Sequence, residues 1–328
     1  MSELAVAAFA AENGSHLLGA PRTARFAAFA AAFDERAYRE RLAAAGLRWV
    51  ARGDAGFPSR LRSIHDPPCG LFVRGANELA LLEEPIVAIV GARACSAYGA
   101  EVAASLASDL AASGVLVVSG MARGVDAAAH RGALDTGRTV AVLGCGVDRD
   151  YPRTHAHLAS RIVERGLILS EYAPGVEPAP WRFPARNRIV AGLALATVVV
   201  EARERSGALI TADLALDEGR EVMAVPGEIT SQLSHGTNAL LRLGATPVTC
   251  AADVLEAIGV EPPHAQPPPT LESRLAVIHA AVVDEPGGID ELARRTGLPA
   301  AHVAAVLAEL ELLGLVSEAA GIYRGVMR

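Results

Sequence analysis

The chain has 328 residues, is 51% hydrophobic and carries a formal net charge of −7, which suits a folded protein of two or three domains with a substantial core. It contains no lysine, so all thirty basic residues are arginines and the lysine-bearing Walker P-loop is excluded. The acidic balance does not exclude a nucleic-acid partner, because the local field matters more than the total. The excess also lies late, with 16 acids against 15 arginines in residues 85–250 and 11 against 5 beyond residue 250.

No apolar run is long and clean enough to span a bilayer. The N-terminus lacks a basic start followed by an apolar core, so no signal peptide is expected and a cytoplasmic location is. Cys69, Cys95, Cys145 and Cys250 form no C-x-x-C pair, so reduced thiols and no metal site are expected.

Residues 1–84 open with alanine-rich helical stretches at Leu4–Ala11 and Ala24–Ala45. Prolines at 58, 67 and 68 mark irregular chain before a short strand, Leu71-Phe72-Val73. A small helical region with a connector is expected here. Apolar runs then recur at Ile86–Val90, Val115–Val118, Thr139–Leu143, Leu167–Leu169, Ala196–Val200 and Glu221–Val225, most of them separated by helical patterns. That alternation predicts a doubly wound α/β domain over 85–259, with a parallel sheet covered by helices on both faces. Ligands of such folds bind beyond the carboxyl ends of the strands, so the segments after each run are the informative ones.

The central one is Ser119-Gly120-Met121-Ala122-Arg123-Gly124-Val125-Asp126. Gly120 permits a tight turn and Gly124 a close approach at the start of the next helix. The first-turn amides, the helix dipole and Arg123 would face one space, an arrangement that suits phosphate; a plain strand-to-helix turn is an equal reading of this stretch alone. After the first run come Gly91-Ala92-Arg93 and Ser96. This is not G-x-G-x-x-G, so no dinucleotide is implied, and Ser96 can cap the next helix or bond a phosphate.

In Phe183-Pro184-Ala185-Arg186-Asn187-Arg188, Pro184 suits a helix start. Arginine in a first helical turn is opposed by the dipole. Arg186 and Arg188 therefore call for an anion, either a ligand or a carboxylate such as Glu171 or Glu201. Arg205-Ser206-Gly207 repeats the pattern of an arginine, a small-residue turn and a helix start. Several such places on one sheet edge suit a chain of phosphates better than a single nucleotide.

Asp126 and His130 are one helical turn apart, but a first-turn acid beside a packed histidine explains them without catalysis, and no G-x-S-x-G is present. Residues 260–270 are a proline-rich linker. Helical patterns at Leu271–Val283, Ile289–Thr296 and Ala300–Leu313, with a wing at Val316–Arg324, give a winged-helix outline over 271–328. Its third helix offers Ala301, His302, Ala305 and Glu309 outward, poor chemistry for reading a duplex, which favours a protein-contact or auxiliary role.

Taken in order, Val87–Arg93, Ser119–Asp126, Phe183–Arg188, Ser206–Ala212, Val225-Pro226-Gly227 and Gly236-Thr237-Asn238 resemble the DprA/Smf family of bacterial DNA-processing proteins. The resemblance runs from about Trp49 to Ala252, more weakly through the C-terminal unit. It implies an extended Rossmann-like domain that binds single-stranded DNA, forms homodimers and loads the RecA recombinase during transformation or recombination, without a cofactor or an established catalytic step. Carried over by position, it implies that Arg93, Arg123 and Arg205, with the amides around Gly120, Gly124 and Gly207, hold phosphates. Ser96 and Ser206 belong to the same set, and Arg186, Asn187 and Arg188 shape or line the pocket. Two other readings remain open. A phosphoribohydrolase-like enzyme acting on a nucleotide would carry P-G-G-x-G-T-x-x-E, which is absent. A duplex-binding regulator would rest on the C-terminal unit alone.

Overall fold

The computed structural model describes residues 2–13, 22–261, 273–319 and 321–325; most of the proline-rich linker lies outside them. The chain divides into two compact units, Met1–Glu261 and Pro262–Arg328.

The first unit is built on a nine-stranded sheet. Its strands are β1 (Leu47–Ala51), β2 (Gly70–Arg74), β3 (Ile86–Val90), β4 (Leu116–Ser119), β5 (Thr139–Val142), β6 (Leu167–Ser170), β7 (Ala196–Val199), β8 (Glu221–Ala224) and β9 (Thr246–Pro247). Their spatial order is β1-β2-β6-β5-β4-β3-β7-β8-β9, and the seven strands from β6 to β9 are all parallel. The chain starts at β3, builds outward through β4, β5 and β6, then returns to the other side of β3 for β7. That reversal is the topological switch point, where open α/β sheets place their ligands.

Strand β3 reads Ile-Val-Ala-Ile-Val and is buried throughout. Its alternate residues feed two cores. Ile86, Ala88 and Val90 join one that includes Ile189, Leu193 and Ala212. Val87 and Ile89 join another with Leu106, Leu110 and Ala129. Both faces are therefore covered, which explains the uninterrupted apolar run. The helices concerned are α5 (Ala97–Ala112) and α6 (Val125–Thr136) on one face, and α8 (Arg182–Leu193) and α9 (Gly207–Asp217) on the other. Helix α7 (Ala156–Arg165) follows β5, and α10 (His235–Arg242) and α11 (Ala251–Ala257) close the unit. On α11, Val254 and Leu255 are buried in the core.

Two expectations change at the N-terminus. The long helix read over Ala24–Ala45 is two, α2 (Ala24–Ala32) and α3 (Glu35–Ala44). The break is made by Asp34, whose carboxylate accepts from the Ala37 N–H at 3.0 Å and caps α3. Nor do residues 1–84 form a unit of their own. After α1 (Glu3–Asn13), α2 and α3, strand β1 pairs antiparallel with β2, and β2 pairs antiparallel with β6. The one-turn helix α4 (Ser59–Arg62) then packs Leu61 and Ile64 into the same core as β3. The extension is sealed by Trp49 and Phe72, whose ring centroids lie 4.5 Å apart.

The second unit contains α12 (Ser273–Asp284), α13 (Ile289–Thr296), α14 (Ala300–Leu312) and an antiparallel hairpin of β10 (Val316–Ala319) and β11 (Ile322–Gly325). Gly287 bridges Tyr323 and adds a third short edge to the wing. Ile278, Leu292, Val303, Leu307 and Leu310 are fully buried at its centre. The outline expected from sequence is thus present. Ala301, His302 and Ala305 are exposed on α14, and Glu309 pairs with Arg274 at 3.2 Å.

Candidate nucleic-acid interface

The loops after β3, β4 and β7 and the first turns of α8 and α9 enclose a pocket of about 260 Å³ at the switch point. Among the residues expected from sequence, Arg93, Gly120, Arg186, Asn187, Ser206 and Gly207 line it. Arg205 instead lines a neighbouring depression of about 420 Å³ beside α10. Ser96, Arg123, Gly124 and Arg188 are not among the residues lining the first pocket.

The arginines fall into two classes. Arg186 is 4% exposed, and its Nη1 donates to the carbonyl of Gly120 at 2.9 Å and to that of Val142. Burial pulls its pKa below the ordinary arginine value, opposed by the nearby Asp126 charge. Asp126 shows the mirror effect: burial raises its pKa, and Arg186 and the Ala122 amide act against the rise. Arg188 is held still more fully. It grips Glu171 with two bonds of 2.9 and 2.7 Å and reaches Asp66 at 2.9 Å. Burial works against its charge, but the two carboxylates more than offset it and hold the pKa above the usual value. Helix α8 starts at Arg182, two residues before the Pro184 start read from the sequence, so Arg186 and Arg188 lie in its second turn rather than its first. Arg188 pairs with Glu171, while Arg186 is satisfied by backbone carbonyls. Arg186 forms part of the wall of the pocket, and Arg188 braces the same helix from outside it.

Glu201, the other carboxylate considered, accepts the Ser96 amide at 2.8 Å and the Ser96 hydroxyl. That hydroxyl also accepts the Gly99 N–H at 3.0 Å, capping α5. Ser96 thus spends its hydroxyl inside the protein. Asn187 links two elements of the pocket, accepting from Arg186 Nε at 3.3 Å and donating to the carbonyl of Gly207 at 3.4 Å.

Arg93, Arg123 and Arg205 are different. All three are exposed, and none forms an ion pair among the described residues. Each follows the carboxyl end of a parallel strand, so all stand on one edge of the sheet. Arg153 and Arg203 share these properties and were missed in the sequence, because neither sits beside a glycine turn.

The two glycines of the central segment have distinct causes. A Cβ on Gly120 would lie 2.4 Å from Arg186 Nη2, inside the buried guanidinium. Gly124 has φ +78° and packs against the Ala92 and Arg93 backbone, where a Cβ would meet the Ala92 carbonyl oxygen at 2.2 Å. What approaches the helix start is thus the preceding loop of the same chain, which carries Arg93. Gly207, at the start of α9, has open space in front of it.

Two buried histidines lie near the pocket and are held by internal contacts. His130 is buried, with Nδ1 2.7 Å from the Thr139 hydroxyl. His155 is also buried, its Nδ1 3.1 Å from the carbonyl of Met121. No cluster of metal-ligating side chains occurs among the described residues. No helix among them is long and apolar enough to cross a membrane.

Residues 48–259 match the family model of DNA recombination-mediator protein A. The chain belongs to this family. Residues 262–321 match the DprA winged helix domain, so the second unit is of the family too. The putative DNA processing protein DprA of Mycobacterium tuberculosis is 45% identical over 287 residues, covering 85% of this chain and 73% of that protein. DprA of Streptococcus pneumoniae is 46% identical over 203 residues, or 62% and 71% of the two chains. Its solved structure superposes with a TM-score of 0.66 over 78% of this chain and 93% of its own, at 38% identity. The DprA of Helicobacter pylori, whose structure is described as giving insights into a single-stranded DNA binding mode, superposes with a TM-score of 0.58 at 31% identity over 64% and 95%. In this chain the sheet extended by β1 and β2 is followed in sequence by the winged helix.

Proposed function

We propose that this DprA-family chain is a single-stranded DNA-binding recombination mediator that holds its ligand by phosphates along the carboxyl edge of the sheet. The observation that carries this reading is the split among the arginines. Arg186 and Arg188 are buried and internally satisfied, whereas Arg93, Arg123 and Arg205 stand exposed without carboxylate partners on one edge. Exposed arginines without carboxylate partners along one edge create a local positive field that suits a polyanion. The pocket at the switch point admits one phosphate-sized group beside Gly207 and Asn187. A flexible single strand can bend a phosphate into it while its neighbours reach Arg123 and Arg205.

The work of such a protein is binding and hand-over, with no bond made or broken. The DNA it holds would be passed to a RecA-type recombinase. Homodimer formation fits the apolar depression beside α10, where Leu243 is 85% and Ile210 41% exposed. Two copies joined there would place two arginine edges on one strand and raise avidity.

The test is oligonucleotide binding by the Arg93→Ala, Arg123→Ala and Arg205→Ala variants at low salt. Each is expected to weaken binding while leaving the melting temperature unchanged. Wild-type affinity in all three would remove the assignment. Recombinase filament assembly on DNA coated with single-strand-binding protein, with and without this chain, then tests hand-over.

A further inference from the structure

The rim of the pocket carries an aromatic stack that phosphate binding does not use. Phe183 lines the pocket, and the guanidinium carbon of Arg93 lies 5.3 Å from its ring centroid. Tyr151 stacks on Phe183 with centroids 5.4 Å apart and planes inclined by 24°. The three groups come from the loops after β3 and β5 and from the first turn of α8, far apart in sequence. Tyr151 is 40% exposed, and among the described residues the stack on Phe183 is its one side-chain interaction. Among the described residues no hydrogen bond to its hydroxyl fixes the ring, so the stack on Phe183 is what positions it. Arg153, exposed and without an ion pair, follows two residues later.

An aromatic ring with one face buttressed and much of its surface in water is poised for a flat π partner. The arginines around it select an anion attached to that partner. A nucleobase on a phosphodiester chain has both properties. We propose that the open face of Tyr151 is a nucleobase platform: it stacks one base of the bound strand beside the phosphate held at the pocket. This inference rests on the single-strand reading above and adds a contact to the base. Stacking accepts any base, so the platform adds affinity without sequence preference. It also separates single strands from duplexes, whose bases are already stacked on one another.

Two measurements test it on the full chain. The first uses an oligonucleotide carrying 2-aminopurine, alongside a matched oligonucleotide with abasic sites. Wild type and Tyr151→Phe are expected to quench the fluorophore and to bind the abasic strand about tenfold more weakly. Tyr151→Leu is expected to lose both effects while keeping its salt dependence. The second needs no variant: a strand containing 5-iodouracil is photocrosslinked to wild type and the attached residue is mapped by mass spectrometry. A crosslink at Tyr151 supports the platform. Crosslinks only elsewhere, or unaltered quenching in Tyr151→Leu, overturn it while leaving phosphate binding intact. If wild type fails to bind the plain oligonucleotide at low salt, both readings fall together.

Discussion

The guanidinium of Arg186 occupies the place where a side chain of Gly120 would begin, and it donates to the Gly120 carbonyl at 2.9 Å. The loop after β4 and the second turn of α8 therefore share one volume at the pocket wall. Gly120→Ala would put a methyl 2.4 Å from Arg186 Nη2. Overpacking of this kind costs about 2 kcal/mol. An unfolding free energy lowered by that amount in chemical denaturation, with weaker oligonucleotide binding, is the expected result.

The two classes of arginine predict opposite phenotypes. Arg188→Ala leaves Glu171, whose side chain is 10% exposed, as a buried carboxylate without its partner, and a loss of about 3 kcal/mol or more is expected. Arg123→Ala touches no internal partner and is expected to leave the unfolding curve in place. It should lower the slope of log affinity against log salt by about 0.7, the value for one lost phosphate contact on a single strand. Parallel unfolding and salt-titration experiments on the two variants separate internal support from ligand contact.

His130 predicts an acid-sensitive fold. The Thr139 hydroxyl donates to the Val117 carbonyl at 2.7 Å, so the proton shared with His130 is the one on Nδ1. Its Nε2 is buried without a partner. Burial first, and then the Arg186 charge, push its pKa down to about 3. In the unfolded chain the group takes up a proton near pH 6.5, about its free value. The stability due to a neutral His130 is therefore complete above that pH and is lost as pH falls toward 3. The slope approaches about 1.4 kcal/mol per pH unit in that window. Asp126, with a pKa raised by burial, acts in the opposite sense, so the test is a difference. In His130→Asn the amide can replace the Nδ1 donor, and its stability between pH 4 and 6 should fall less steeply than that of wild type.

Leu243→Arg addresses the apolar depression beside α10. The side chain is 85% exposed, so the monomer should fold unchanged. Sedimentation equilibrium is expected to show a dimer for wild type and a shift toward monomer for the variant.

Much of this was legible in the sequence because the signals were local. The apolar runs gave six of the seven parallel strands, and only the two-residue β9 escaped. The arginines after Pro184 called for an anion, and Glu171 was one of two carboxylates suggested, although α8 begins at Arg182 and so puts Arg188 beyond the first turn on which that reasoning rested. What stayed hidden was non-local. Strand β1 is completed by its pairing with β2 and by Trp49 against Phe72, and no local pattern announces either. Gly120 read as a tight turn, yet its tightest constraint is a side chain 66 residues away. Tyr151 carried no signal at all, because what makes it notable is a ring brought to it by another loop.

The most direct test of the account is the affinity of the full chain for a fluorescent single-stranded oligonucleotide and for the matching duplex across a salt series. Phosphates held by exposed arginines predict a steep fall in affinity as salt rises, and a pocket that only a flexible backbone can enter predicts a strong preference for the single strand. No binding at low salt, or equal affinity for both forms, would contradict the account.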